Sequence, residues 1–433
     1  MNSVVIIGGG ESGVGAALLA RKNGLEVFVS DYGKLSDKYK KELQENRIPF
    51  EEEGHELEKL VQYDFTVKSP GISDQTAVIK HLQSAGIEIM SEVEFASRYY
   101  NGKIIAVTGS NGKTTTASLI YHLLREAKLS VGLGGNIGYA FSRLMIEDEK
   151  YDYLVLELSS FQLDDVREFR SDISVILNIT ADHLDRYDND IRKYGSAKWR
   201  LAQCTRSNGF LITNHDDELI QEFIEKEKIN AEIIQISSVS PIDSLSKDDG
   251  SLFEIKLLGR HNLYNAAVSK EVARLCGLED VIIASGLLSF VALEHRLELV
   301  TTIENIDFIN DSKATNVDAV EYALEAIDKP IVWIAGGTDK GNDYSGMLDV
   351  VSKKVKSIIC LCVDDSKLRS CFSDIISDIT TTQSMNVAVR TAYEKSNAGD
   401  VVLLSPACAS FDLFDNYIDR GLQYKKEIFD LEK

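Results

Sequence analysis

The sequence predicts an α/β protein of three domains, each a parallel sheet covered by helices. Short apolar runs alternate with helix-like segments over most of the 433 residues, which is the pattern of repeated β-α-β units. The alternation restarts three times, with breaks near residues 93 and 298, and a chain of this length is too long for one core. The expected domains are residues 1–93, 94–298 and 299–433.

The first domain opens with an apolar strand at 4–7, a glycine turn and a helix from about 13 to 23. A strand at 26–30 ends at Asp31, a run at 65–67 enters Lys68-Ser69-Pro70-Gly71, and an amphipathic stretch at 76–85 precedes a strand at 87–90. In the second domain a strand at 104–108 meets another glycine loop and a helix at 113–127, and strands follow at 153–158 and 172–178. The stretch from 210 to about 258 reads as more β-rich and ends in a helix near 262–275. Apolar strands at 306–310, 331–335, 357–363 and 401–405 recur in the third domain. Cys360 and Cys362 lie in one of these runs and are expected on opposite faces of a buried strand.

Composition narrows the function classes. A net charge of −21 disfavours nucleic acid and anionic membrane surfaces, which need a basic field. No stretch approaches the roughly 20 apolar residues of a membrane span, and no basic region precedes residues 4–7 as in a signal peptide. The six cysteines are scattered without paired zinc spacing, as expected of reduced thiols. A soluble, cytoplasmic protein is expected, without membrane insertion and with no protein partner indicated.

Two glycine loops carry the chemistry. Gly8-Gly9-Gly10-Glu11-Ser12-Gly13 fits GxGxxG between strand and helix, and Asp31 closes the next strand about 20 residues on. Such a loop lets backbone approach a diphosphate at a helix N-terminus. A nicotinamide-dependent oxidoreductase, another nucleotide diphosphate and a purely structural turn all remain open on this motif. The second loop, Gly109-Ser110-Asn111-Gly112-Lys113-Thr114-Thr115-Thr116, opens a helix after a strand. Its amides can surround ATP phosphates, Lys113 can reach the terminal phosphates, and the Thr114 hydroxyl can ligate magnesium. The usual GxxxxGK[ST] spacing would place glycine where Val107 stands.

Downstream polar residues are less decisive. Glu157 closes an apolar strand beside the phosphate loop, as a magnesium ligand or a capping glutamate. His183 reads as a solvated loop residue, Lys198 as a surface lysine on a helix, and Asn136 as a turn asparagine.

The shortened phosphate loop resembles that of the Mur ligases and folylpolyglutamate synthetases. The resemblance extends through Glu157-Leu158-Ser159-Ser160-Phe161-Gln162-Leu163, 178–187 (Asn-Ile-Thr-Ala-Asp-His-Leu-Asp-Arg-Tyr), Ala197-Lys198, His261-Asn262, Asn265 and His295-Arg296. It continues in Asp311-Ser312-Lys313-Ala314-Thr315-Asn316 and Ser405-Pro406-Ala407-Cys408-Ala409-Ser410. In this order they look like the D-glutamate-adding Mur ligases (the UDP-N-acetylmuramoyl-L-alanine:D-glutamate ligase family), over essentially the whole chain.

That resemblance implies a Rossmann-like N-terminal domain, a central P-loop ATPase-type domain and a Rossmann-like C-terminal domain. It implies an ATP-dependent ligase joining D-glutamate to UDP-N-acetylmuramoyl-L-alanine through an acyl phosphate, with another Mur-type amino-acid ligase as the alternative. Two magnesium ions are implied, with Thr114, Glu157, His183 and a carbamylated Lys198 at the metals and Asn136 near them. Lys113 and Arg296 would neutralise phosphoryl charge. Asn265 and Asp311 are implied at adenine and ribose. Glu11, Ser12, Asp31 and Tyr32 would face the uridine diphosphate. For D-glutamate, Thr315 and Lys340 are implied at the side-chain carboxylate and Ser410 and Tyr417 at the α-carboxylate. The third domain is expected to swing as a rigid body to close the site.

Overall fold

A computed structural model describes residues 2–431 except 148, 149, 248, 249, 256, 258, 292, 293 and 340. The chain forms two compact units, Met1–Glu254 with Tyr264–Ser289, and Ile255–Leu263 with Phe290–Lys433. Among the described residues no helix is long and apolar enough to cross a membrane.

The first unit holds two sheets. Strands Ser3–Ile7 (β1), Glu26–Ser30 (β2), Phe50–Glu51 (β3), Phe65–Lys68 (β4) and Glu88–Ser91 (β5) pair in the order β3-β2-β1-β4-β5, all parallel. Val4, Val5, Ile6 and Ile7 are wholly buried because helices cover both faces of a parallel sheet. The helix Glu11–Lys22 follows β1 at once. A Cβ on Gly13 would stand 1.7 Å from the Gly8 carbonyl oxygen, so only glycine lets that helix close on the strand end.

Strands Lys103–Thr108 (β6), Val131–Gly135 (β7), Tyr153–Glu157 (β8), Ser171–Ile176 (β9), Thr205–Asn214 (β10) and Glu232–Ile236 (β11) form the second sheet. It is parallel throughout, in the order β11-β10-β9-β6-β8-β7. The expectation of a β-rich stretch after 210 is corrected here. A helix, Glu218–Lys226, separates β10 from β11, and its Phe223 stacks on Trp199 with ring centroids 5.3 Å apart. Leu219, Ile220, Phe223 and Ile224 share one helical face, a spacing of 3.6 residues rather than 2.

The second unit has one sheet, from Glu298–Ile303 (β12), Ile306–Asn310 (β13), Ile331–Ala335 (β14), Val355–Leu361 (β15), Ile379–Thr382 (β16) and Val401–Leu404 (β17). Its order is β12-β13-β17-β14-β15-β16, with β12 antiparallel at the edge. That edge strand was not legible in the sequence, because it is only half-buried and carries no continuous apolar run. Cys360 and Cys362 also need correction. Both join the core that contains Trp333 and Phe372, while Leu361 between them joins the core on the other face. Side chains two apart along a strand point the same way.

Candidate active site

The phosphate-type loop leaves β6, whose neighbours are β8 and β9, from the C-terminal edge of the second sheet. This is where open α/β sheets place their ligands. Gly112 precedes the helix Lys113–Glu126 with φ +83°, and a Cβ there would lie 2.6 Å from Asn265 Oδ1. Asn265 is buried and accepts a hydrogen bond from Thr116 Oγ1 at 3.2 Å. Asn178 and Thr180, just past the end of β9, brace the loop. Asn111 N donates to Asn178 Oδ1 (2.8 Å), Asn178 Nδ2 donates back to Asn111 O (3.1 Å), and Thr180 N donates to Ser110 Oγ (2.9 Å). The sequence had supplied both residues without a role; their polar character just past a buried strand was the available signal.

Lys113 Nζ donates to Gly109 O at 2.8 Å and to Ser110 O at 2.7 Å. Lys198 Nζ donates to the same Gly109 O, also at 2.8 Å. The ordinary reading of Lys198 as a surface residue is therefore corrected: it is 1% exposed, on the inner face of the helix Ile191–Gln203. Burial, and then the charge of Lys113, push its amine well below the usual lysine range, against the pull of Asp182, Glu157 and Asp164.

Glu157 ends β8 and is 3% exposed. Its Oε1 accepts from Asn136 Nδ2 at 3.0 Å, and its main-chain oxygen accepts from Asn136 N at 2.8 Å. Oε2 is buried without a hydrogen-bond partner among the described residues. A carboxylate oxygen left so is costly unless a cation meets it. His183 has left-handed backbone (φ +52°), stands half-exposed ahead of the turn Leu184–Tyr187, and packs edge-on to Phe161 at 5.4 Å. Among the described residues no three His, Cys, Asp or Glu side chains gather as a metal site. The metal set expected from the sequence includes just two of those types, Glu157 and His183.

A cleft of about 1000 Å³ opens at the C-terminal edge of the first sheet. Glu11, Ser12, Asp31 and Tyr32 line it, and so does Asn136. Asp31 is held by two amides, accepting from Gly9 N (2.6 Å) and Gly33 N (2.8 Å). Glu11 pairs with Arg143 at 2.6 Å and accepts from Tyr39 Oη at 3.1 Å. The wall formed by Ser69, Gly71 and Thr76 is tied to segments that connect the strands of the second sheet, by groups that sequence reasoning missed. Buried Lys68 pairs with Asp74 and, at 2.8 Å, with Asp165, and Arg186 Nη1 donates to Gly71 O at 3.0 Å. The Arg186 guanidinium also lies 4.3 Å from the Phe161 ring. A lysine closing a buried strand demands such a partner, and that was the signal.

In the second unit Asp311 is buried, accepting from Ser405 Oγ (2.7 Å) and Leu297 N (3.2 Å). Burial raises its carboxyl to about 7 although those bonds and Arg296 pull it down. Thr315 precedes the cap of the helix Val317–Glu325, and Ser410 is buried past β17. Tyr417 opens the helix Tyr417–Phe429, with Lys313 Nζ 3.8 Å from its ring centroid. Arg420, 1% exposed and unremarked in the sequence, donates to Ser312 O (2.8 Å) and Cys408 O (3.2 Å), joining the two loops that carry Thr315 and Ser410. Lys340 lies outside the described residues.

Residues 3–78 match the MurD N-terminal domain, 107–273 the Mur ligase middle domain and 295–408 the Mur ligase glutamate ligase domain. The UDP-N-acetylmuramoylalanine–D-glutamate ligase of Christiangramia forsetii is 44% identical over 442 residues, 99% of each chain. The Bacteroides fragilis protein of the same name is 43% identical over 445 residues, the whole of both chains. The crystal structure of the UDP-N-acetylmuramate-alanine ligase MurC from Thermotoga maritima superposes with a TM-score of 0.64 over the whole of both chains at 19% identity, a likeness of fold. Neither an oxidoreductase nor a different amino-acid ligase is favoured by these relatives. With three domain matches in chain order and full-length relatives above 40% identity, the chain belongs to the Mur ligase family, in its UDP-N-acetylmuramoylalanine–D-glutamate ligase group.

Proposed function

We propose that the protein is a cytoplasmic ATP-dependent ligase that adds D-glutamate to UDP-N-acetylmuramoyl-L-alanine, releasing ADP and phosphate, in peptidoglycan precursor synthesis. The observation that carries the reading is the double position of Asn136. It lines the first-domain cleft and bonds Glu157, the residue paired in the sheet with Val107 just before the phosphate loop. A nucleotide-linked substrate seated in that cleft would present its far end to the loop.

On this reading residues 1–93 bind the uridine diphosphate through Glu11, Ser12, Asp31 and Tyr32. Residues 94–298 bind ATP, with the amides of Gly109, Ser110, Asn111 and Gly112 and the Lys113 ammonium on the phosphates, Thr114 and Thr115 behind them, and Asn265 at adenine. Residues 299–433 bring Asp311 to ribose, Thr315 and Lys340 to the side-chain carboxylate of D-glutamate, and Ser410 and Tyr417 to its α-carboxylate. The alanine carboxylate oxygen attacks the γ-phosphorus and ADP leaves. The glutamate amine then attacks the acyl carbon, loses a proton, and phosphate departs. Lys113 and Arg296 would stabilise charge on the transferring phosphoryl group.

The unpartnered Glu157 Oε2 fits a divalent cation. Glu157, Thr114, His183 and Lys198 would hold two magnesium ions, which supply charge neutralisation at the phosphoryl oxygens. Lys198 would serve as a carbamate, its neutral amine attacking carbon dioxide and losing a proton; the depressed amine supports this.

Phosphate release with ATP, magnesium and UDP-N-acetylmuramoyl-L-alanine tests the reading, comparing D-glutamate with L-glutamate, L-lysine, diaminopimelate and buffer. Release with D-glutamate alone, with product mass raised by one dehydrated glutamate, is expected. Release with a different amino acid would overturn the substrate, and no release would overturn the ligase.

A further inference from the structure

A titratable side chain of the first-domain cleft carries none of the roles assigned so far: His55, in the loop between β3 and the helix Leu57–Leu60. Ser30, the wholly buried last residue of β2, holds it in place. Ser30 Oγ lies 2.6 Å from Glu51 Oε1 and 2.6 Å from His55 Nδ1. A hydroxyl has one proton and a carboxylate only accepts. Ser30 therefore donates to Glu51 and accepts from His55 Nδ1–H. Glu51 Oε1 is held in turn by Glu56 N at 3.2 Å.

This chain of bonds sets the tautomer. With the proton on Nδ1, the neutral ring carries a lone pair on Nε2, and Nε2 has no hydrogen-bond partner among the described residues. Burial pushes His55 below the ordinary histidine value, more than Glu51 and Asp31 raise it, so the lone pair persists at neutral pH. The ring stands 6.0 Å from that of Tyr32, tilted by 41°. Tyr32 is 80% exposed on the same cleft, a flat apolar face available to a planar ligand. Further along the cleft, Gly8, Gly10 and Ser12 surround the N-terminus of a 12-residue helix, where a diphosphate is favoured.

We propose that His55 reads the base in this cleft: its Nε2 accepts a hydrogen bond from the N3–H imide of uracil, whose ring lies against Tyr32. The proposal rests on the reading of the cleft as the uridine diphosphate site, and goes beyond it by naming the group that requires an imide donor. A pyrimidine without a proton on N3 presents no such donor to the lone pair.

The test is calorimetric binding of UDP and of N3-methyluridine diphosphate to the full-length protein. The wild type should bind UDP about tenfold more tightly, the equivalent of one buried hydrogen bond. His55→Phe keeps a ring and removes the acceptor, so it should bind both nucleotides alike; a preference undiminished in this variant would mean that shape or another acceptor, such as the Asp31 carboxylate in the same cleft, discriminates against the methyl group, and would overturn the proposal. Nitrogen-15 NMR of histidine-labelled wild type supplies a readout without any variant: a proton on Nδ1 and none on Nε2 is expected, and the reverse would also overturn it. Equal binding of both nucleotides by the wild type would sink the role of His55 and leave the cleft assignment standing. Absence of UDP binding would sink the cleft assignment and the proposal together.

Discussion

Replacing Asn136 by alanine removes one bond from the centre of the proposed site. The side-chain amide donates a single 3.0 Å hydrogen bond to Glu157 Oε1, while the main-chain bond from Asn136 N to Glu157 O survives the substitution. Glu157 is 3% exposed and its other carboxylate oxygen already lacks a hydrogen-bond partner among the described residues. The variant thus leaves a buried carboxylate with neither oxygen bonded by a described residue. A hydrogen bond to a charged group is worth about 1.5–3 kcal/mol, so the first unit should lose about 2 kcal/mol. The two tryptophans make this measurable, because Trp199 lies in one unit and Trp333 in the other. In a Trp333→Phe background, urea unfolding followed by Trp199 fluorescence reports the first unit alone. If Glu157 holds metal as proposed, ligase turnover should fall about 10–100-fold, the usual effect of freeing a metal-binding carboxylate from the group that orients it. Unchanged unfolding together with full turnover would refute the reasoning, since Glu157 would then not depend on Asn136 for either purpose.

Lys198→Ala should be inactive and partly restored by acetate or another short carboxylate; full activity without supplement would exclude a carbamate. For Asp311 the folded carboxyl is raised to about 7 from the ordinary 3.8, so between those values the folded state holds a proton that the unfolded chain has released. Its unit should gain stability as pH falls through that window and show no such slope above it. Asp311→Asn should flatten the slope in urea unfolding read by Trp333, and an unaltered slope would reject the assignment. Arg186→Ala removes the 3.0 Å bond to Gly71 O and the contact with Phe161. The KM for the nucleotide-linked substrate should rise about fivefold, one ordinary hydrogen bond; an unchanged KM would show that Lys68 and Asp165 hold the cleft wall unaided.

Much of this protein is determined by local sequence. Uninterrupted apolar runs such as Val4-Val5-Ile6-Ile7 specify buried parallel strands, since both faces of such a strand must leave water. Gly13 marks where backbone passes too close for any side chain, and Gly112 where the chain turns through a left-handed φ, which is why both phosphate-type loops are legible as strings. Half-buried elements are less so: the edge strand β12 lacks a continuous apolar run, and the helix Glu218–Lys226 hides its period beside two strands. What tertiary structure alone decides is the electrostatic state of the polar residues. Lys198 reads as an ordinary helix lysine until its helix turns it inward to share Gly109 O with Lys113. His55 becomes an acceptor only because Ser30 spends its one proton on Glu51, 21 residues further along the chain. Burial and hydrogen-bond partners set the charge and tautomer of such groups, and both come from segments distant in sequence, so no local pattern encodes them.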